Sequence, residues 1–238
     1  MALTLYLAMT AAEIYGCSQL PEKIAYMACH FSPYGSGLSN FPSHLPAGSV
    51  LILNDRIPPQ GHDPQAVATQ LSQVAEKWEV GRILLDMQRP GDPQTATIVK
   101  AILDTCPCPV AVTPAYADDF DCPVFLTPQL RQPLQEQLTI WRNRGIWLEA
   151  LPECQMITVT EQGSQVCPAP LPSRYSGNQT DEELHCHYHW EEGDACVQFT
   201  VWRDAKLLQD LLAEAETLQV QCAIGLYQQL QEKAAEDA

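Results

Sequence analysis

Asp86 and Gln88 are spaced to act together. They close the stretch Gly81-Arg82-Ile83-Leu84-Leu85-Asp86-Met87-Gln88-Arg89-Pro90, an apolar run that ends in a carboxylate, an amide, a guanidinium and a proline. In a strand, side chains alternate, so Leu84, Asp86 and Gln88 share one face while Ile83, Leu85 and Met87 share the other. The all-apolar set is suited to packing against helices, which leaves Asp86 and Gln88 aimed into an open end. A carboxylate beside an amide can hydrogen-bond the hydroxyls and amides of a ligand. General acid–base chemistry at such a site would draw on a second carboxyl.

Two other strand-like runs offer one. Val50-Leu51-Ile52-Leu53 ends in Asn54-Asp55-Arg56, and Gly145-Ile146-Trp147-Leu148-Glu149-Ala150 ends in Glu149, with Trp147 on the face that Glu149 shares. Asp86 with Glu149, or with Asp55, is a candidate catalytic pair. Retention requires carboxyls about 5–5.5 Å apart and inversion about 6.5–9.5 Å. The competing reading pairs Glu149 with a barrel cation such as Arg56 or Arg89, and the sequence favours that ion pair, because structural ion pairs also concentrate charge. Candidate binding residues are Gln88 and Arg89, Asn54, Trp147, and His30 and Tyr34 of the Gly/Ser/Pro-rich loop His30–Gly37. Tyr116 joins them as an aromatic just past a strand end, suited either to stacking on a sugar ring or to the rim of the core.

His185, His187 and His189 alternate in Leu184-His185-Cys186-His187-Tyr188-His189-Trp190. On a strand they lie on one face, at a spacing that suits a transition metal. The opposing reading is the solvated face of a hairpin whose Cys186, Tyr188 and Trp190 pack inward, and no metal or cofactor is expected. Cys106-Pro107-Cys108 lacks the C-x-x-C spacing of a metal or redox pair. There is no phosphate-binding glycine loop and no G-x-S-x-G elbow.

The elements that must position these residues follow a repeated plan. Strand-like runs begin at Leu3, Ile24, Val50, Ile83, Val110, Val124, Ile146 and Ala223, each separated from the next mainly by helix or loop. Helical spacing is clear over Pro64 to Trp78 and Pro93 to Asp104, is expected over Leu130 to Trp141, and is strongest after Asp204, where Leu207, Leu208, Leu211, Leu212, Ala215 and Leu218 form one stripe. This predicts a (β/α)₈ TIM-like barrel, with reactive groups at the C-terminal ends of its strands. The repeat Cys108-Pro109-Val110-Ala111-Val112-Thr113-Pro114 and Cys122-Pro123-Val124-Phe125-Leu126-Thr127-Pro128 leaves room for only a vestigial helix between the fifth and sixth strands. Helices are also thin or missing between the first and third. After the seventh strand, residues 152–203 read as an insertion of two β-hairpins, Met156–Thr160 with Gln165–Cys167 and Leu184–Trp190 with Cys196–Trp202. The second turns at Glu191-Glu192-Gly193-Asp194, and Pro168 to Asp181 reads as loop. Residues 1–238 form a single barrel domain around this insertion.

A net charge of −16 argues against nucleic acid and against an anionic membrane surface as partners. The ten cysteines sit inside apolar strands or beside prolines, a pattern of buried thiols in a reducing compartment. The run Leu3 to Met9 is too short and too interrupted for a membrane span, so the expected location is the cytoplasm.

The stretch from Gly81 to Pro90 resembles the fourth-strand motif of the chitinase-type family 18 glycoside hydrolases, D-G-I-D-L-D-W-E-Y-P. Aligned at Pro90, Ile83, Leu85, Asp86 and Pro90 match. The resemblance implies that Asp86 stands where the assisting carboxylate stands and Gln88 where the family has its catalytic acid, while Gly81 and Leu84 replace the first two aspartates. An amide cannot protonate a leaving oxygen, so the family's acid is missing. The implied function is a carbohydrate-binding or catalytically degenerate barrel. An active glycosidase using Asp86 with Glu149 or Asp55, and a non-catalytic interaction scaffold, are the alternatives.

Overall fold

In the computed structural model, which describes residues 2–35, 37–172 and 179–231, the apolar runs become parallel strands of one closed barrel. β1 (Thr4–Met9) leads into the short α1 (Ala11–Gly16). A capping box opens α1: Glu13 N donates to Thr10 Oγ1 at 3.3 Å, and Thr10 N donates to Glu13 Oε2 at 2.6 Å. β2 (Ile24–Phe31) folds back on the short β3 (Leu38–Ser39), and β4 (Val50–Asn54) follows with no helix between. The regular part is α2 (Pro64–Lys77), β5 (Arg82–Asp86) and α3 (Pro93–Thr105). Asp63 and Asp92 cap the two helices by accepting from Ala66 N at 2.7 Å and Thr95 N at 3.2 Å, each cap being worth about 1 kcal/mol. β6 (Val110–Val112) and β7 (Val124–Leu126) are joined through the four-residue α4 (Pro114–Ala117), the vestigial helix the repeat predicts. α5 (Leu134–Thr139) and β8 (Ile146–Glu149) complete this half.

The insertion follows as β9 (Glu153–Thr160), β10 (Gly163–Pro168), β11 (Gln179–Asp181), β12 (Cys186–Glu192) and β13 (Val197–Arg203). The chain then returns through α6 (Ala205–Thr217), β14 (Cys222–Leu226) and α7 (Tyr227–Gln231). β1 pairs with both β2 and β14, so the eight parallel strands close in the order β1-β2-β4-β5-β6-β7-β8-β14. This is a TIM-type barrel.

The alternation in β5 is as expected. Ile83, Leu85 and Met87 pack outward with Ile98 and Val99 of α3, while Leu84 packs inside the barrel with Ile52, Ala111 and Ile224. At the N-terminal end the interior is filled by Tyr6, Trp147 and Cys222. Arg82 Nη1 donates to Tyr6 Oη at 2.6 Å, and its guanidinium lies 5.9 Å from the Trp147 ring. At the other end the inward residues Ala8 and Ala111 are small, which leaves space above them. Gly81 lies where the chain ahead of β4 crosses the start of β5, and a Cβ there would come within 2.9 Å of the Gly48 carbonyl oxygen.

The inserted region departs from two separate hairpins. β9 pairs with both β10 and β13, giving one antiparallel sheet in the order β10-β9-β13-β12-β11. Its last strand, Gln179-Thr180-Asp181, lies in the stretch read as loop, because three polar residues carry no alternation signal. The rest of that stretch at 173–178 lies outside the described residues. β12 runs on through Glu192, two residues into the expected turn, and Trp190 is 46% exposed rather than packed inward. The foot of the sheet buries Cys186 and Val201 against Leu130. Leu130 therefore belongs to a packed loop, and the expected helix begins only at Leu134, after Pro133.

Candidate functional site

The space above Ala8, Ile52 and Leu84 is a cavity of about 620 Å³ at the C-terminal mouth of the barrel. Its floor is apolar, with Met27, Phe125 and Ile224 among the lining residues, and its polar lining is Asn54, Asp55, Arg56, Asp86, Gln88, Arg89 and Glu149. Register explains the gathering, since Asn54 pairs with Asp86 and Ile224 with Glu149, which brings these residues to the same end of the barrel.

Asp55 organises the rim from below. Its side chain is buried, and Oδ2 accepts from Gln88 N and from Arg89 N, each at 3.1 Å. Those bonds fix the turn after β5 and leave Gln88 Nε2 donating to Asp86 Oδ1. Burial raises the Asp86 carboxyl above its ordinary range, the Gln88 amide pulls it back, and the charge on Asp55 adds to the rise. Asn54 fills a gap in the ladder. The β2–β4 register shifts between Tyr26 and Cys29, and Asn54 Nδ2 donates to the Cys29 and Met27 carbonyls at 3.0 and 3.4 Å.

Glu149 does not form the expected ion pair. It accepts from Thr127 Oγ1 at 2.6 Å, and among the described residues neither Arg56 nor Arg89 has a carboxylate oxygen within 4.0 Å. The hydroxyl supplies a close donor from the neighbouring strand, and the guanidiniums stand elsewhere on the rim. A second cavity of about 370 Å³ shares Asp86, Gln88, Phe125 and Glu149 with the first, so one cleft runs on across β6 and β7 past Thr113 and Thr127. Thr113, Thr127 and Phe125 were not singled out from the sequence for the site. The proline-flanked repeat was their signal, since both copies end a strand in Thr-Pro. Thr113 Oγ1 donates to the Met87 carbonyl, steadying β5 as Thr127 steadies Glu149.

Four expected binding residues do not line either cavity. Tyr116 is buried between barrel and helix, and its hydroxyl donates to the Arg89 carbonyl, supporting the loop from behind. Trp147 is fully buried inside the barrel, with Nε1 donating to Gln221 Oε1 at 2.9 Å; it lies two residues below Glu149, on the same face but at the packed end. His30 pairs with Phe31 O at 2.7 Å and Asn40 Nδ2 at 2.9 Å, because the β2–β3 hairpin turns its loop away from the mouth. Tyr34 is 95% exposed at the tip of that hairpin.

The three histidines do not converge. His185 precedes β12 with a φ of 47° and contacts Glu214 Oε2 at 2.7 Å. His187 contacts Asp204 Oδ2 at 3.3 Å and His189 contacts Glu191 Oε1 at 3.5 Å. Among the described residues no group of three or more His, Cys, Asp or Glu could hold a metal ion. Among them, too, no helix is long and apolar enough to cross a membrane.

No protein-family model matches the sequence, and no curated protein does. Solved structures do. A GH18 N-acetylglucosaminidase from Paenibacillus barengoltzii superposes with a TM-score of 0.55 at 8% identity, covering 94% of each chain. A GH18 chitinase from Cycas revoluta in complex with (GlcNAc)3 gives 0.56 at 10% identity, covering 96% of each. The fold is that of the family 18 glycoside hydrolases. The Bacillus cereus spore cortex-lytic enzyme SleL shares it, with a TM-score of 0.55 at 9% identity over 94% of this chain and 70% of that one.

Proposed function

We propose that this protein is a carbohydrate-binding barrel on a glycoside hydrolase fold, with the family's proton donor replaced by Gln88. The observation that carries the reading is the Gln88–Asp86 hydrogen bond on the wall of the 620 Å³ cavity. An amide in that place orients a polar ligand but supplies no proton to a leaving group. The cavity, with an apolar floor and a hydrogen-bonding rim, suits the two faces of a sugar ring. The similarity to a chitinase solved with (GlcNAc)3 makes N-acetylated sugars the first ligands to test. Residues 1–238 act as one barrel domain, with 152–203 inserted into it. A cytoplasmic setting fits the ten cysteines, all free, five of them buried.

A second reading is supported by the shared cavity: Asp86 lines it together with Glu149 and Asp55, so a carboxyl pair, Asp86 with Glu149 or with Asp55, remains available for hydrolysis. Both readings are separated by assaying the native chain on a chromogenic N-acetylglucosaminide, with sugar binding measured by calorimetry in parallel. Binding without turnover is expected in the native chain, and Gln88→Glu is expected to raise hydrolysis by about 10²-fold, the lower end for a restored general acid. Native turnover that survives Gln88→Ala and disappears with Glu149→Ala would move the chemistry to β8. Absence of binding and of turnover in every variant would leave the scaffold function.

A further inference from the structure

The rim of the cavity holds two guanidiniums that form no ion pair among the described residues. Arg56 follows β4 and Arg89 follows β5; both side chains are exposed and both line the 620 Å³ cavity. They are neighbours, since Arg89 Nη2 reaches the Arg56 carbonyl at 3.4 Å. The carboxylates around them are otherwise engaged. Asp55 is buried and accepts two backbone N–H groups, Asp86 accepts from Gln88, and Glu149 accepts from Thr127. Arg89 lowers the Asp92 carboxyl by its charge, but that group is held at the α3 cap by Thr95.

In a chain of net charge −16, two adjacent cations on a cavity wall with no carboxylate contact among the described residues stand out. Guanidiniums left in this state favour a carboxylate or phosphate brought by a ligand, which they can grip through paired N–H donors. We propose that the barrel mouth selects an anionic saccharide, its ring over the apolar floor and its carboxylate or phosphate against Arg56 and Arg89. The inference rests on the sugar-binding reading and narrows its substrate class from neutral to acidic sugars.

Matched pairs test it: glucuronic acid against glucose, and N-acetylglucosamine 6-phosphate against N-acetylglucosamine, by calorimetry at low and high salt. The charged member of at least one pair is expected to bind about tenfold more tightly at low salt, with the advantage shrinking at high salt. Whichever pair shows the gain identifies the anion as carboxylate or phosphate. Arg56→Gln and Arg89→Gln, with folding checked by melting temperature, are expected to remove that advantage, so that the charged and neutral members of each pair bind with equal affinity. Neutral sugars binding as tightly as acidic ones, or an acidic preference that survives both substitutions, would overturn this inference alone. If none of the four sugars binds, the sugar-binding reading falls with it.

Discussion

Two polar clusters of this protein use their charges in opposite ways. At the root of the inserted sheet they are joined into the structure. Arg203 is buried and donates from Nε to the His185 carbonyl at 3.0 Å and from Nη2 to the Leu184 carbonyl at 3.2 Å, while His185 and His187 reach carboxylates of α6 and its cap. At the barrel mouth, carboxylates and guanidiniums share one cavity, yet among the described residues the arginines have no carboxylate contact. Groups bound into the fold hold an element in place, whereas groups left facing a cavity are available to a ligand. That difference places the three alternating histidines in the architecture and, on the proposed reading, leaves the rim for a ligand.

Substitutions sharpen the contrast. Arg203→Met should have the largest effect, because it strips two half-buried carbonyls of their donor and leaves Glu153, whose carboxyl burial raises, without the positive charge that opposes the rise. A loss of about 3 kcal/mol in urea unfolding is expected; an unchanged midpoint would erase the distinction drawn here. Asp55→Ala comes next, since the Gln88 and Arg89 N–H groups both lose their acceptor. It should cost about 2 kcal/mol and weaken ligand binding as well, because the turn after β5 is freed. A stability loss with binding intact would show that Asp55 does not position the rim.

The smallest effects are in the pH profile, and the two clusters should oppose each other there. Asp86 is raised by burial, so the folded chain keeps a proton that the unfolded chain has released; this contribution is complete below the ordinary value of 3.8 and is lost as pH rises through the folded value. Asp204 is lowered: burial works against its charged form, but the Leu207 N–H and the His187 charge outweigh it. Its contribution is present above 3.8 and is lost as pH falls. Unfolding measured across acid pH should therefore lose its decline above 3.8 in Asp86→Asn and its decline below 3.8 in Asp204→Asn. A profile that neither substitution alters would place the titration elsewhere.

The barrel was legible because each strand carried its own signal: an apolar run of the right length, ended by polar residues. Asp86, Gln88, Asp55, Asn54, Arg89 and Glu149 were read from that ending alone, and all six line the cavity. What escaped was depth. Trp147 and Glu149 share a face, but two residues of rise separate a packed interior from an open mouth, and composition does not say where filling stops. Long-range pairing also escaped. Merging two hairpins into one sheet depends on β9 meeting β13 across nearly forty residues, and polar β11 joins only because β12 is already there. Thr127 was overlooked because a hydroxyl that orients a carboxylate looks the same as any strand-ending threonine.

The crossing at Gly81 also bears on reversibility. Gln88→Glu returns one carboxyl with a single substitution, but the first motif position is closed to any side chain by the Gly48 carbonyl, 2.9 Å from where a Cβ would stand. An aspartate there requires the chain ahead of β4 to move first, and that shift would be felt along the strand that carries Asn54 and Asp55. Leu84 adds a second barrier, because it packs among Ile52, Ala111 and Ile224 where the family has an aspartate. Selection for hydrolysis could regain the last step of the motif cheaply and would meet a steep path to the rest. On the proposed reading, such a barrel is more readily refined as a receptor than turned into a catalyst.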